Sequence, residues 1–437
     1  MKKWGRKAAV LCASAVLCCL LTGCLSASTV EDLFTLPQPP IEYTDLSKTI
    51  GQLIAAGYEY ASPTSGQNIQ SVQMVDLDAD GHEEAITFFR KPSDEKPLKI
   101  MIFHTHNDGY QLLCTIESSG TAVDRVQYQD LNSDGRQELI VGWKISTEVQ
   151  NVAVYAIDAE PALLMQSAYT RYSVQEMDGD GVPSLLLFRA DAEGNSVAEF
   201  HGWRNDAMTM VNRTALSSTM AALNRGSIVT GALSADTPAV FVTGVDEKGV
   251  AVTDILVCRE DGSMTNAALN SSTGVSGLIF SYRQLQPQDI NGDGIIEVPA
   301  PAAHSEHEKM NDGIVDWLQC DMDGDTQRVS TTYHCFSSGW YFAIPEDWVG
   351  SVSASSSESG LSESQVLLQV DGQPVTALYA ISGENRENRA LRGNRMVLRR
   401  QTAIVYAGEL LEGSAALEFD EDALRENFRL IVSSWTS

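Results

Sequence analysis

The sequence predicts a mainly β protein: a β-propeller of about five four-stranded blades, followed by a small α+β C-terminal domain. Two observations carry this. Short β-rich apolar runs separated by turn residues recur in groups of four, and an acidic loop of the form D-x-D-x-D-G follows the first run in most groups. Equivalent first loop positions (Asp76, Asp130, Glu176, Ala232, Asp289) are spaced by 54, 46, 56 and 57 residues, close to one propeller blade per repeat. Each such unit has strand edges it cannot satisfy alone, which makes closure into a ring the expected solution.

Taken in order, the chain opens with Lys2, Lys3, Arg6 and Lys7, and an apolar run follows from Ala8 to Leu21. That is the order of an export signal, and the run is short for a membrane span. It ends in Leu21-Thr22-Gly23-Cys24, which resembles the bacterial lipobox. The resemblance implies that residues 1–23 are a lipoprotein signal peptide and that Cys24 carries the lipid. It makes the membrane a partner through that lipid and places the protein outside the cytoplasm, anchored at a bacterial cell surface. The formal net charge is −28; without residues 1–23, 26 basic residues face 58 acidic ones, a charge of −32. A surface of this sign repels nucleic acid, so no nucleic-acid partner is expected.

Residues 24–44 contain Pro37, Pro39 and Pro40 with little periodicity and read as a tether. Asp45–Ala56 places Leu46, Ile50, Leu53 and Ile54 on one face, a short amphipathic helix capped by Asp45 or Ser47 and stopped by Gly57. The propeller is expected over 45–336, this helix included. Its units open with SVQMVD, AVDRVQYQD, YSVQEMD, SIVTGALSAD and YRQLQPQD. Outside the signal and Cys24, the cysteines are Cys114, Cys258, Cys320 and Cys335, far apart and without CxxC spacing. They read as buried thiols in strands, with one disulfide permitted by the compartment, and not as a zinc site.

The acidic loops carry the chemistry. Positions 1, 3, 5 and 9 are Asp76, Asp78, Asp80 and Glu84 in the first loop. They are Asp130, Asn132, Asp134 and Glu138 in the second, and Asp289, Asn291, Asp293 and Glu297 in the fifth. Oxygen donors at alternate positions, with glycine sixth to allow a sharp reversal, suit a hard cation, and calcium is the expected cofactor. The third loop is weaker: Glu176, Asp178 and Asp180 remain, but position 9 is Ser184. The fourth has eroded to Ser234-Ala235-Asp236. An EF-hand requires glutamate at position 12 between helices, whereas Thr87, Val141 and Ala300 stand there and the flanks are β-rich. With an acid at position 9 followed directly by a strand, the chain resembles the FG-GAP/VCBS repeats of integrin-like β-propellers over about residues 70–335. That resemblance implies calcium ions that stiffen the turn between the first two strands of a blade, and no catalysis. The third and fourth loops and the lack of a clear FG-GAP tetrapeptide depart from it.

Residues 337–437 read as the small α+β domain, with a sixth, degenerate blade as the competing reading. Asp420 caps a closing helix that spaces Leu424, Phe428, Ile431 and Trp435. The basic stretch from Arg386 to Arg400 reads as a solvated hairpin, or as a contact for the acidic face or a partner. His304-Ser-Glu306-His307-Glu308 lacks HExxH order and reads as a polar loop; His104 and His106 share one face of a strand, towards solvent. Trp143, Trp203, Trp317, Trp340 and Trp348 suit core packing better than sugar stacking. No GxSxG, Walker loop or dinucleotide fingerprint occurs. The sequence therefore favours a lipid-anchored, calcium-binding binding or scaffold module for a protein or glycan. The rival is a carbohydrate-active hydrolase or lyase working with carboxylates near the propeller axis. A regulatory or sporulation-related surface protein acting through its C-terminal domain is a third option.

Overall fold

The computed structural model describes residues 42–106, 109–259, 261–270, 272–281, 285–302, 312–359 and 362–431. Cys24, the signal peptide, nearly all of the tether, the 304–308 cluster and Trp435 lie outside them. The chain divides into two compact units, 1–56 with 105–111, and 57–104 with 112–437.

In the first unit, α1 (Glu42–Ala55) starts three residues earlier than the Asp45 boundary and takes in 42–44 of the expected tether. Leu46 and Ile50 are buried, Leu53 is half-buried and Ile54 is exposed, so the buried stripe ends a turn short of the spacing. Gly57 stops the helix at φ +88, a left-handed conformation that costs glycine least.

The fold is mainly β, and the described residues form six sheets of antiparallel strands. Sheet one holds β1 (Glu59–Tyr60), β2 (Val72–Val75), β3 (Glu84–Arg90), β4 (Leu98–His106) and β5 (Gly109–Ser118), with β1 and β2 both pairing along β3. Sheet two is β6 (Ala122–Gln129), β7 (Glu138–Lys144), β8 (Gln150–Ala156) and β9 (Ala162–Tyr169). Sheet three is β10 (Arg171–Gln175), β11 (Ser184–Ala190), β12 (Ser196–Arg204) and β13 (Ala207–Ala215). A short α2 (Met220–Leu223), whose Ala222 N–H donates to the Thr219 hydroxyl at 3.2 Å, leads into sheet four. That sheet is β14 (Ser227–Ser234), β15 (Thr237–Val245), β16 (Val250–Cys258) and β17 (Met264–Asn266), with β18 (Ile279–Ser281) also on β16. In each of sheets two to four, successive strands are neighbours, so the local chain supplies its own partners.

The second strand of each unit reads as an unbroken apolar run because both of its faces are covered. EAITFFR and ELIVGWK are buried at six consecutive positions each. The outer β9 is exposed or half-buried at all but its last residue, Tyr169. Sheets one and two share a buried cluster (Ile86, Phe88 and Ile100 with Leu139, Val141 and Trp143). Two and three share another (Ile140 and Val154 with Leu185 and Leu187), and three and four a third (Leu186 and Phe200 with Val240 and Leu256). Phe241 and Ile255 join sheet four to Val298 and Cys320, and Trp340 and Phe342 join sheet five to Leu368 and Leu378.

The C-terminal third departs from expectation. Sheet five is β19 (Val298–Pro301), β20 (Asp312–Cys320), β21 (Thr326–Cys335) and β22 (Trp340–Ala343), so its pairing crosses the expected boundary at 336/337. YRQLQPQD forms no strand among the described residues; one bridge, Gln288 to Glu297, marks its place. The next hundred residues give a sixth sheet of β23 (Val352–Ser359), β24 (Glu363–Val370), β25 (Gln373–Ser382), β26 (Met396–Arg400) and β27 (Ile404–Leu410), with a short α3 (Arg386–Arg389) before β26. Asp420 does cap the last helix, accepting from Ala423 N–H at 2.9 Å, but α4 (Glu421–Asn427) ends at Phe428. There β28 (Phe428–Leu430) begins and pairs with β22 in sheet five, so Phe428 serves a strand and not the predicted helical stripe.

Candidate metal centres

Four acidic loops lead into β3, β7, β11 and β19, and their backbones repeat. Position 4 is left-handed in all of them (Ala79 φ +59, Ser133 +60, Gly179 +77, Gly292 +86), and so is the glycine at position 6 (Gly81, Gly135, Gly181, Gly294). This double reversal turns alternate side chains inward. The carboxylate at position 1 then caps its own loop: Asp76 accepts from Gly81 N–H at 3.1 Å, Asp130 from Gly135 at 3.0 Å, and Asp289 from Gly294 at 2.9 Å. Position 9 opens the next strand and turns back. Glu84, Glu138 and Glu297 each accept from the N–H of position 2 (Leu77, Leu131, Ile290) at 2.8, 2.7 and 2.9 Å.

In the first loop, carboxylate oxygens of Asp76, Asp78 and Glu84 lie within 4.8 Å of one another. Asp80 instead accepts from His82 N–H at 2.8 Å and is not one of the three. Asp76 Oδ1 is buried and accepts no hydrogen bond, a costly state for a charged oxygen and one a cation relieves. Burial raises the Glu84 carboxyl above its ordinary value, the charges of Asp78, Asp80 and Asp76 push the same way, and the Leu77 N–H opposes them. The donor set is all oxygen, and it fits a hard divalent cation.

Loops two and five temper this charge with an amide. Asn132 Nδ2 donates to Asp134 at 3.1 Å and to Glu138 at 3.2 Å, and Asn291 Nδ2 donates to Asp293 at 3.0 Å. Burial pushes Glu138 up to about 7 and raises Glu297. A residue the sequence reading missed joins loop five: Gln319, on the neighbouring β20, donates to Asp293 at 2.8 Å and Glu297 at 2.9 Å. Its place opposite Glu297 depends on strand register, which no local motif encodes.

The third loop keeps the backbone and converges Glu176, Asp178 and Asp180, but a cation of the protein's own sits against it. Arg204, at the end of β12, donates to Asp178 at 2.6 Å and to Asp180 at 3.4 Å. With Ser184 buried at position 9, the Arg204 guanidinium supplies positive charge to this loop. The fourth loop is a tight turn, Ser234 hydroxyl to Thr237 hydroxyl at 2.8 Å, with no acid facing inward.

Other acids are accounted for by hairpins. Asp191, Asp246 and Asp321 each head an Asp-x-x-Gly turn and accept the N–H groups two and four residues on, at 2.7 to 3.1 Å. The basic stretch is not a free hairpin: Arg389 and Arg395 both pair with Glu363, at 3.3 and 2.8 Å, and Arg395 lies 3.6 Å from the Tyr379 ring centroid. Trp143, Trp317, Trp340 and Trp348 are buried, and Cys114, Cys258, Cys320 and Cys335 are free thiols. His104 is half-buried and lies one register step beyond the Ala85–Phe103 pair, opposite Glu84.

No protein-family model and no curated protein matches the chain. Among solved structures, it is similar to a functionally unknown protein from Desulfotomaculum acetoxidans DSM 771, at 11% identity over 71% of this chain and 86% of that one, with a TM-score of 0.32. A hypothetical protein from Leishmania major is similar at 12% identity over 65% and 92%, with a TM-score of 0.23.

Proposed function

We propose that the stacked sheets close as a β-propeller, that loops one, two and five bind calcium, and that the protein is a lipid-anchored extracytoplasmic module binding a protein or glycan. The observation that carries this reading is the repetition of one loop geometry, with a buried glutamate at position 9 of three copies. In such a loop Asp76, Asp78 and Glu84, and the corresponding groups of the other two, would hold the ion, which supplies positive charge and rigidity at the turn. Successive four-stranded meanders sharing buried faces support the propeller. The described cavities support binding over hydrolysis: a glycosidase flanks its sugar with two carboxylates, and neither cavity brings such a pair together.

The test is capture by the full chain, immobilised in millimolar calcium and exposed to cell-surface extract. A defined component retained with calcium and released by chelator is expected; the same retention in both buffers, or none, would overturn the reading. Labelling with a fatty-acid analogue is expected to mark Cys24, and a Cys24→Ala variant that still takes the label would overturn the anchor.

A further inference from the structure

A cavity of about 570 Å3 opens against the first strands of sheets one to three. Its polar wall is Arg125, Gln127 and Gln129 from β6 and Gln137 from loop two, and the half-buried Val75 and Val174 add an apolar edge. The volume falls in the range of small-molecule sites, and the lining is mainly polar.

Two features separate this cavity from an ordinary surface hollow. First, its polar groups are unspent. Arg125 makes no ion pair among the described residues and lies over the Tyr172 ring at 5.8 Å, and Gln127 Oε1 is buried without a hydrogen-bond partner. The wall behind them is fixed. Tyr128 donates to Gln73 at 2.6 Å, Gln73 donates to the Asn68 carbonyl at 3.0 Å, and Asn68 donates to the Val126 carbonyl at 3.1 Å.

Second, the lining carries one cation and no acid, in a chain of net charge −28. Burial disfavours the charge of Arg171 and the nearby Arg125 adds to that, while the nearby carboxylate, Asp124, is taken by Lys144 at 2.9 Å. An unpaired guanidinium recognises a carboxylate or phosphate in a fork. Carboxamides both donate and accept, which matches hydroxyl groups, and the valines offer a surface for the C–H face of a ring.

We propose that this cavity binds an acidic saccharide, with the sugar carboxylate on Arg125 and its hydroxyls on Gln127, Gln129 and Gln137. The inference rests on the binding-module reading and narrows its ligand. One carboxylate set among hydroxyls fits one free guanidinium set among amides better than a phosphate dianion does.

The test is calorimetric titration of the full chain, in constant calcium, with trigalacturonate, maltotriose and inorganic phosphate. Trigalacturonate is expected to bind and maltotriose not to. Arg125→Met and Gln127→Met are each expected to weaken binding about tenfold or more. Melting curves report whether each variant is folded; should Arg125→Met not fold, Gln127→Met carries the test. No binding of trigalacturonate overturns the proposal, and so does equal binding of phosphate, which would mark a simple anion site. A surface component captured in calcium and unaffected by either variant would overturn this inference while leaving the binding-module reading in place.

Discussion

The backbone N–H of Gln137 donates to the carbonyl of Leu77 at 2.8 Å, tying the second acidic loop to the first. Position 8 of one loop meets position 2 of its neighbour, and Arg136 reaches Asp78 at 4.0 Å beside it. A similar bond, one position displaced, joins sheets five and four, where Ile296 N–H at position 8 donates to the Ala232 carbonyl at position 1, at 2.9 Å. In loop three position 8 is Pro183, which has no N–H to give.

Stiffening one of the joined loops should therefore be felt by the whole fold. Calcium at a hundred times its dissociation constant is expected to add about 2.7 kcal/mol of stability per site. Asp130→Ala removes the acceptor for the Asn132, Ser133 and Gly135 N–H groups, and should cost about 1–3 kcal/mol even in chelator. It should also lose part of the calcium-induced rise in Tm. Scanning calorimetry with and without calcium checks both, and an undiminished rise in the variant would show that loop two holds no ion.

Arg204→Met takes the built-in cation from loop three while keeping the length of the stem. In chelator the variant should lose about 1 kcal/mol, since the guanidinium is partly exposed. Calcium should then stabilise the variant more than it stabilises the parent protein. Equal calcium responses would count against the substitution of guanidinium for metal.

His334 is buried with both ring nitrogens unpartnered, between the Phe336 and Tyr341 rings at 5.4 and 5.1 Å. Burial pushes its pKa down to about 3. Between about 6.5 and 3 the unfolded chain therefore binds a proton that the folded chain refuses, and stability falls as pH falls through that window. The full effect is on the order of 5 kcal/mol. Urea midpoints for His334→Phe should fall less steeply with acid than those of the parent; parallel curves would refute the assignment.

Gly226 precedes β14, and a Cβ there would lie 1.7 Å from the Thr243 carbonyl oxygen. Since the obstacle is backbone, Gly226→Ala should cost about 3 kcal/mol or more. Gly57→Ala, at positive φ but in open space, should cost about 1 kcal/mol. Denaturant titration of the two variants gives the comparison.

Strands β2 to β17 were legible because alternation, apolar runs and turn residues repeat, and each sheet is closed by chain neighbours. The four loops were legible because the glycine at position 6 and the acids at alternate positions are a local requirement. What escaped was non-local. YRQLQPQD has a strand's composition, yet among its described residues only the Gln288–Glu297 bridge forms beside β19. Leu424 and Phe428 have helical spacing, yet pairing with Phe342 turns Phe428 into a strand residue. Arg204 and Gln319 reach their loops across a sheet, and Arg125 stands beside its cavity through a register shift in β6.

The return of Phe428–Leu430 to Trp340–Phe342 sets an order in time. Sheets two to four each consist of contiguous chain and can form as soon as their own strands are present. Sheet five cannot; its last strand arrives only after the whole of sheet six has been threaded between β22 and β28. The fold is thus latched late, by a three-residue strand, and shortening the chain before residue 428 should leave the earlier sheets made while the joint between five and six stays open.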